Sequence, residues 1–443
     1  MKLSALTMIL MLAPAAACAQ PPPVLRLSLK QAVEVALAPE GNARLALATE
    51  LARQADTRVE QARAALLPQL ESSVAQQSQT RNLAAFGIRF SLPVPGFELP
   101  ERVGPFNVFD VRLTATQSLF DLSAVRRWQA SRASRQAAEA ETDYAREQVA
   151  AAVAKLYLAA LVSEARLEAA RANLALAEAL ERLAASQKAA GTGTAIDVTR
   201  ARVQAANQRQ RVVVAENDRH RARLELLKAI GLALGTPLEL TERLAYSPLD
   251  AVTLEQARTV AFDSRADLKA QRDRAANARL AYAAAKWERL PSLAGFADYG
   301  TIGSSINHAL PTRTYGLALK LPLFDGGRRD ARRADSLSTL RQEDIKTGDL
   351  RRQVELEVRV ALDSLRSAEE QVRVAEEGLK LSEEEVAQAE RRFRAGVSSS
   401  LEVTDAHTRL ERARENRIAA LFAYQAARID FGAATGTVRR MLQ

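Results

Sequence analysis

Small and apolar residues recur along two stretches of this chain with identical stepping. Val149, Val153, Leu156, Ala160, Ser163, Leu167, Ala170 and Leu174 are spaced alternately by four and three residues. Val354, Val358, Ala361, Leu365, Ala368, Val372, Ala375 and Leu379 repeat those steps 205 residues later. A sustained 3–4 step marks a coiled-coil seam. Before each stretch the period changes to two, the signature of a strand. Val111 to Leu119 alternates apolar and polar, and Leu317, Leu319, Leu321 and Leu323 alternate with Ala318, Lys320 and Pro322. Both alternating segments close on one tripeptide, Leu119-Phe120-Asp121 and Leu323-Phe324-Asp325. The chain is therefore a duplicated strand and long-helix unit, and such a repeat is settled before any other reading.

Turn and cap residues divide each copy. Over 20–230 they predict a helix starting after Ser28 and broken between Pro39 and Asn42, then a β-hairpin at about 70–119. A long helix over 122–188 and a return helix over 195–230 follow. A linker fills 231–253. The second copy spans 254–434, with a hairpin at about 293–323, a long helix over 326–394 and a return helix over 400–434; 435–443 form a tail. A helix of this length is on the order of 100 Å long. Pro68 to Leu119 is 51 residues and Pro291 to Leu323 is 32, so 19 extra residues fall in the first hairpin, read as a longer outer loop.

One apolar and one polar face per strand is what a membrane barrel needs, with lipid outside and water inside. Two hairpins supply only four strands, and open strand edges are not viable in lipid. The expected fold is thus an α+β membrane protein in which three copies close a twelve-stranded barrel that continues into an α-helical coiled-coil tunnel.

Composition narrows the class further. Lys2 and the apolar run from Leu3 to Ala17 read as a secretory signal, with Ala17-Cys18-Ala19 as the cleavage site and residues 1–19 removed. The rival reading is lipidation at Cys18, which would anchor the chain differently. Cys18 is the only cysteine, so no intrachain disulfide can form. The formal net charge is +9, read as a surplus spread along solvated helices rather than a nucleic-acid surface. No later apolar run reaches about 18 residues, which leaves no transmembrane helix expected.

The ordered motifs carry a resemblance. Leu27-Ser28-Leu29 with Ala32-Val33, the Leu67-Pro68-Gln69-Leu70 and Leu290-Pro291-Ser292-Leu293 turns, both Leu-Phe-Asp ends, Gly191 with Asp197-Val198, and Gly396 with Glu402-Val403 resemble the TolC-like outer membrane efflux proteins. The resemblance covers nearly the whole mature chain. It implies a homotrimeric conduit in outer membrane lipid, fed by an inner-membrane pump through a periplasmic adaptor, with a large periplasmic portion. It implies that the turns at Gly191, Gly193 and Gly396 meet the adaptor, beside their plain role as turn glycines. It also places Glu402 and Asp405 as rings of carboxylates at the narrowed tunnel end. The alternative is an acidic helix start favoured by the helix dipole. Asp197 matches a position that locks the closed tip through an arginine. That arginine position is Ser398 here, so the lock is absent or rebuilt through Arg200 or Arg394. Phe393 stands where the family carries a gate tyrosine.

No enzyme motif or cofactor site is expected. His220, His308 and His407 lie far apart with no ligand at metal spacing, and there is no phosphate loop, G-x-S-x-G or H-E-x-x-H. The alternative from another class is a non-conducting periplasmic coiled-coil scaffold, against which the apolar face of 315–323 argues.

Overall fold

The computed structural model describes residues 24–39, 41–87, 101–248, 250 and 252–442. The signal segment, Cys18 and the proline-bearing stretch 88–100 lie outside the described residues. Two β-hairpins form one sheet, and below it the helices run in parallel. Strand β1 (Leu25–Leu27) leads into α1 (Leu29–Leu37) and α2 (Ala43–Ala64). Ser28 caps α1 through a reciprocal bond with Gln31, and Asn42 caps α2 after the break. The first hairpin is β2 (Gln69–Asn82) and β3 (Arg102–Phe120). Asp121 then caps α3 (Leu122–Ala189), and α4 (Ala195–Ala229) returns. The second copy follows β4 (Leu238–Leu240). It comprises α5 (Leu254–Ser264), α6 (Ala266–Trp287), β5 (Ser292–Gly303), β6 (Ala309–Lys320), α7 (Arg328–Arg394) and α8 (Ser400–Thr435), with α9 (Val438–Met441) at the end.

The sheet order is β2-β3-β5-β6, all antiparallel, so β2 and β6 are open edges. The helical wall keeps that order. Above the middle α2, α3, α6 and α7 pack in sequence; below it α4, α3, α8 and α7 do. The 3–4 positions become the seams. Val149, Val153, Ala160, Ser163 and Leu167 are buried in α3, and Val354, Val358, Ala361, Leu365, Ala368 and Val372 in α7. At mid-height two buried clusters hold the wall, one around Leu27, Val33, Tyr157 and Leu226, the other around Val354, Leu362, Leu421 and Tyr424. The Tyr157 hydroxyl donates to the Leu27 carbonyl at 3.0 Å.

Several sequence expectations need correction. β3 begins at Arg102, nine residues before the alternating run, and passes through Pro105. The ladder with β2 shifts between Gln79 and Arg81, and such an irregularity is where a strand admits proline. The 19 extra residues are therefore not all loop: the first hairpin's strands are 14 and 19 residues, against 12 and 12 in the second. β6 spans Ala309–Lys320 rather than 315–323, and Pro322, with no N–H to donate, follows its end. α7 starts at Arg328 because Gly326 and Gly327 both take positive φ. The 231–253 linker holds β4, which pairs in parallel with β1; the Leu-x-Leu of both segments was the available signal. Finally, α3 contains an 18-residue window of mean hydropathy 1.3, long and apolar enough for a membrane span, but 56% of it is buried in the wall.

Candidate functional site

Register assigns every strand residue to a face, because directly paired residues in antiparallel strands share one side. Leu70 and Val74 of β2, Phe109, Val111 and Leu113 of β3, Leu293, Ala297 and Tyr299 of β5, and Tyr315, Leu317 and Leu319 of β6 share one face, which also carries Ser72, Gln76 and Arg313. The other holds Gln69, Glu71, Ser73 and Gln77; Asp110, Arg112, Thr114 and Thr116; Asp298; and Thr312, Thr314 and Lys320. On this polar face Arg112 reaches Asp298 at 3.1 Å and Asp110 at 3.1 Å, which ties the two hairpins together. Gly316 matters here because a Cβ would stand 2.9 Å from the Phe296 ring across the ladder.

At the far end of the helices the two turns lie side by side. Gly191 and Gly396 have φ of 77° and 73°, with open space where a Cβ would be. They close matching turns: Thr192 N donates to Gln187 O at 3.0 Å, and Val397 N to Arg392 O at 3.1 Å. Gly193 differs, since its Cβ would lie 3.0 Å from the Gln187 side chain. Ile196, Val397 and Leu401 are exposed around these turns.

Asp197 sits in a capping box with Thr194. Its other oxygen accepts from the hydroxyl of Ser400, a residue only 3% exposed at the start of α8. Sequence reasoning missed this partner. Arg394 is paired instead with Glu390 at 3.0 Å, Arg200 acts on Asp197 only as a neighbouring charge, and the Ser398 hydroxyl is buried without a partner. The Ser400 hydrogen bond, then that of Thr194, hold the Asp197 carboxyl below its ordinary value. A carboxylate lowered on folding contributes stability above its unfolded pKa, and that stability is lost as pH falls through the lowered value. The α4–α8 tie is therefore intact at neutral pH and fails only in acid. Ser400→Ala should cost on the order of 1–3 kcal/mol locally. Faster hydrogen exchange over 190–200 and 395–402 at neutral pH is the expected readout.

Glu402 is paired with Arg392 at 3.0 Å, and the Asp405 side chain is exposed, with no hydrogen bond or ion pair among the described residues. Phe393 is 6% exposed and packs among Leu180, Ala184, Val198, Val403 and Ala406, so its ring serves this core. His407, two residues beyond Asp405 and buried, lies 3.3 Å from Glu390. Among the described residues no group of three or more His, Cys, Asp or Glu is placed to hold a metal.

The sequence model of the outer membrane efflux protein family matches residues 36–232 and 258–437. The chain belongs to this family. It is accordingly an outer membrane protein of an efflux family rather than an enzyme, with its helices on the periplasmic side. The fold is that of solved channels. It superposes on VceC from Vibrio cholerae with a TM-score of 0.76 at 19% identity, covering 92% of this chain and 96% of that one. For MtrE of Neisseria gonorrhoeae, solved in an open state, the values are 0.77, 19%, 94% and 90%. For CmeC of Campylobacter jejuni they are 0.76, 16%, 92% and 85%. No match was found among curated protein sequences.

Proposed function

We propose that this chain is the exit duct of a tripartite efflux or secretion assembly, a passive channel that a homotrimer closes. The observation that carries the reading is the sheet with one mainly apolar and one mainly polar face and two open edges, β2 and β6. The helical wall supports the same closure. Its edges are α2 and α4 on one side and α7 on the other. Large apolar residues are exposed on these helices: Leu47 and Leu51 on α2, Ile196, Val203, Val213 and Val214 on α4, and Ile345, Leu356, Val360, Val374 and Leu381 on α7. Charge also matches. α4 carries eight basic residues against four acidic, whereas residues 363–390 of α7 carry nine acidic against three basic. Head-to-tail contact of α4 with α7 of the next copy covers both apolar stripes and pairs opposite charges. Energy for transport comes from the pump, and the exposed turns at Gly191 and Gly396 are the proposed contact with the adaptor.

Asp405, exposed and unpaired, is the stronger member of the proposed carboxylate ring, since Glu402 is shared with Arg392. Three acidic side chains at a narrow point concentrate cations and slow divalent ions. Glu402→Ala with Asp405→Ala should weaken cation selectivity and divalent block in planar-bilayer recordings. Unchanged selectivity and block would remove both residues from the gate. Recordings of the unaltered protein test the reading as a whole: discrete channel openings are expected, whereas a detergent-free soluble monomer after signal removal would favour the scaffold.

A further inference from the structure

The net charge is not spread evenly. The helix ends next to the barrel, residues 55–68, 121–135, 278–291 and 321–335, carry thirteen basic residues against seven acidic, a surplus of six out of the chain's nine. The acids here are largely engaged. Asp121 caps α3, and Glu288 is shared between Arg127 at 3.5 Å and Arg332 at 2.6 Å. Asp325 holds Arg329, Asp330 holds Arg289, and Asp56 holds Arg135. The side chains of Lys286, Arg328 and Arg333 are exposed and have no hydrogen bond or ion pair among the described residues. Arg328 opens α7 beside Gly327, which offers no side-chain cap. A cation at a helix N-terminus is disfavoured by the dipole, so this placement is not explained by the helix.

Aromatic and apolar groups share this level. The chain's two tryptophans, Trp128 and Trp287, are both here, with Arg132 and Arg126 over their respective rings at 5.3 and 4.4 Å. Leu321, Leu323 and Phe324 are exposed between the end of β6 and α7. They continue from the apolar face of β6, where Leu317 and Leu319 lie. Trp287 and the arginines below an apolar band match the boundary between hydrocarbon and headgroups, where a side chain can keep an apolar body in the membrane and a polar end in water. The Trp128 Nε1, by contrast, is buried in the wall.

We propose that this level is a lipid-binding belt. Arg126, Lys286, Arg328 and Arg333 engage anionic phospholipid headgroups of the periplasm-facing leaflet and fix the depth of the barrel. The occupant follows from charge complementarity and from continuity with the apolar barrel wall. The belt rests on the membrane-spanning trimer, so trimer and lipid are read in one sample.

The test uses the processed full-length protein in detergent, incubated with mixed micelles of phosphatidylglycerol and phosphatidylcholine in equal amounts, and native mass spectrometry. The trimer should retain phosphatidylglycerol over phosphatidylcholine by on the order of ten-fold, as expected for several cations at an anionic surface, and raising the salt should erode the preference. Arg126→Gln, Lys286→Gln, Arg328→Gln and Arg333→Gln together should abolish it. The exchange set Arg126→Lys, Lys286→Arg, Arg328→Lys and Arg333→Lys should keep it, which separates charge from packing. Equal retention of the two lipids by the wild-type trimer, a preference indifferent to salt, or full preference in the glutamine variant would overturn the belt. Absence of any trimer in the wild-type sample would instead overturn the channel reading.

Discussion

Leu113→Arg with Leu317→Arg should eliminate the assembled channel from the outer membrane. Leu113 and Leu317 lie on the mainly apolar face of β3 and β6, 43% and 68% exposed in the protomer, opposite Tyr299 and Gly295 of β5. An arginine facing lipid costs up to about 2–4 kcal/mol, the most at the midplane. Two such changes, repeated in three protomers, are comparable with the roughly 5–15 kcal/mol that separates folded from unfolded domains. Thr114→Arg with Ala318→Arg moves each charge by one residue, onto the polar face beside Asp298 and Lys320. That variant should still reach the membrane as a trimer. Detergent extraction of membranes, followed by unheated and heated electrophoresis, reads both. Equal loss in the two variants would contradict the assignment of faces.

Val374→Asp with Leu381→Asp should leave the protomer folded and dissociate the trimer. Both side chains are more than half exposed on α7, at 53% and 59%. They lie seven residues apart, and the side chains of Glu383 and Glu384 beside them have no hydrogen bond or ion pair among the described residues. If α4 of the next copy covers them, burying a valine and a leucine contributes roughly 1.5–3 kcal/mol each at every interface. Aspartate there adds the cost of an unpaired charge and repels the acidic stretch of α7. If α7 faces only water, neither change will alter the oligomer.

The long helices were legible because the 3–4 step persists over eight positions in each copy, a longer run than the core stripe of an ordinary helical bundle needs. The apolar face of β6 was legible for the matching reason, a clean period of two. Boundaries were less so. Pro105 looked like a loop residue because sequence does not reveal that the β2–β3 ladder shifts beside it. β1 and β4 are three residues each, too short for any period to show, and only their pairing across 213 residues makes them strands. At the turns, sequence sought an arginine for Asp197 and overlooked Ser400. The clue was present, since an offset of 205 puts the first residues of α4 and α8 at matching points of the two copies, where both turns end. The concentration of charge below the barrel was hidden by reading composition along the chain. It emerges only when four segments distant in sequence are placed at one height.

Closure by three copies is the central claim, and native mass spectrometry of the protein extracted from outer membranes measures it most directly. A single species of three protomers is expected. A species of one or two protomers as the dominant form would contradict the account, because neither supplies the twelve strands that leave no open edge.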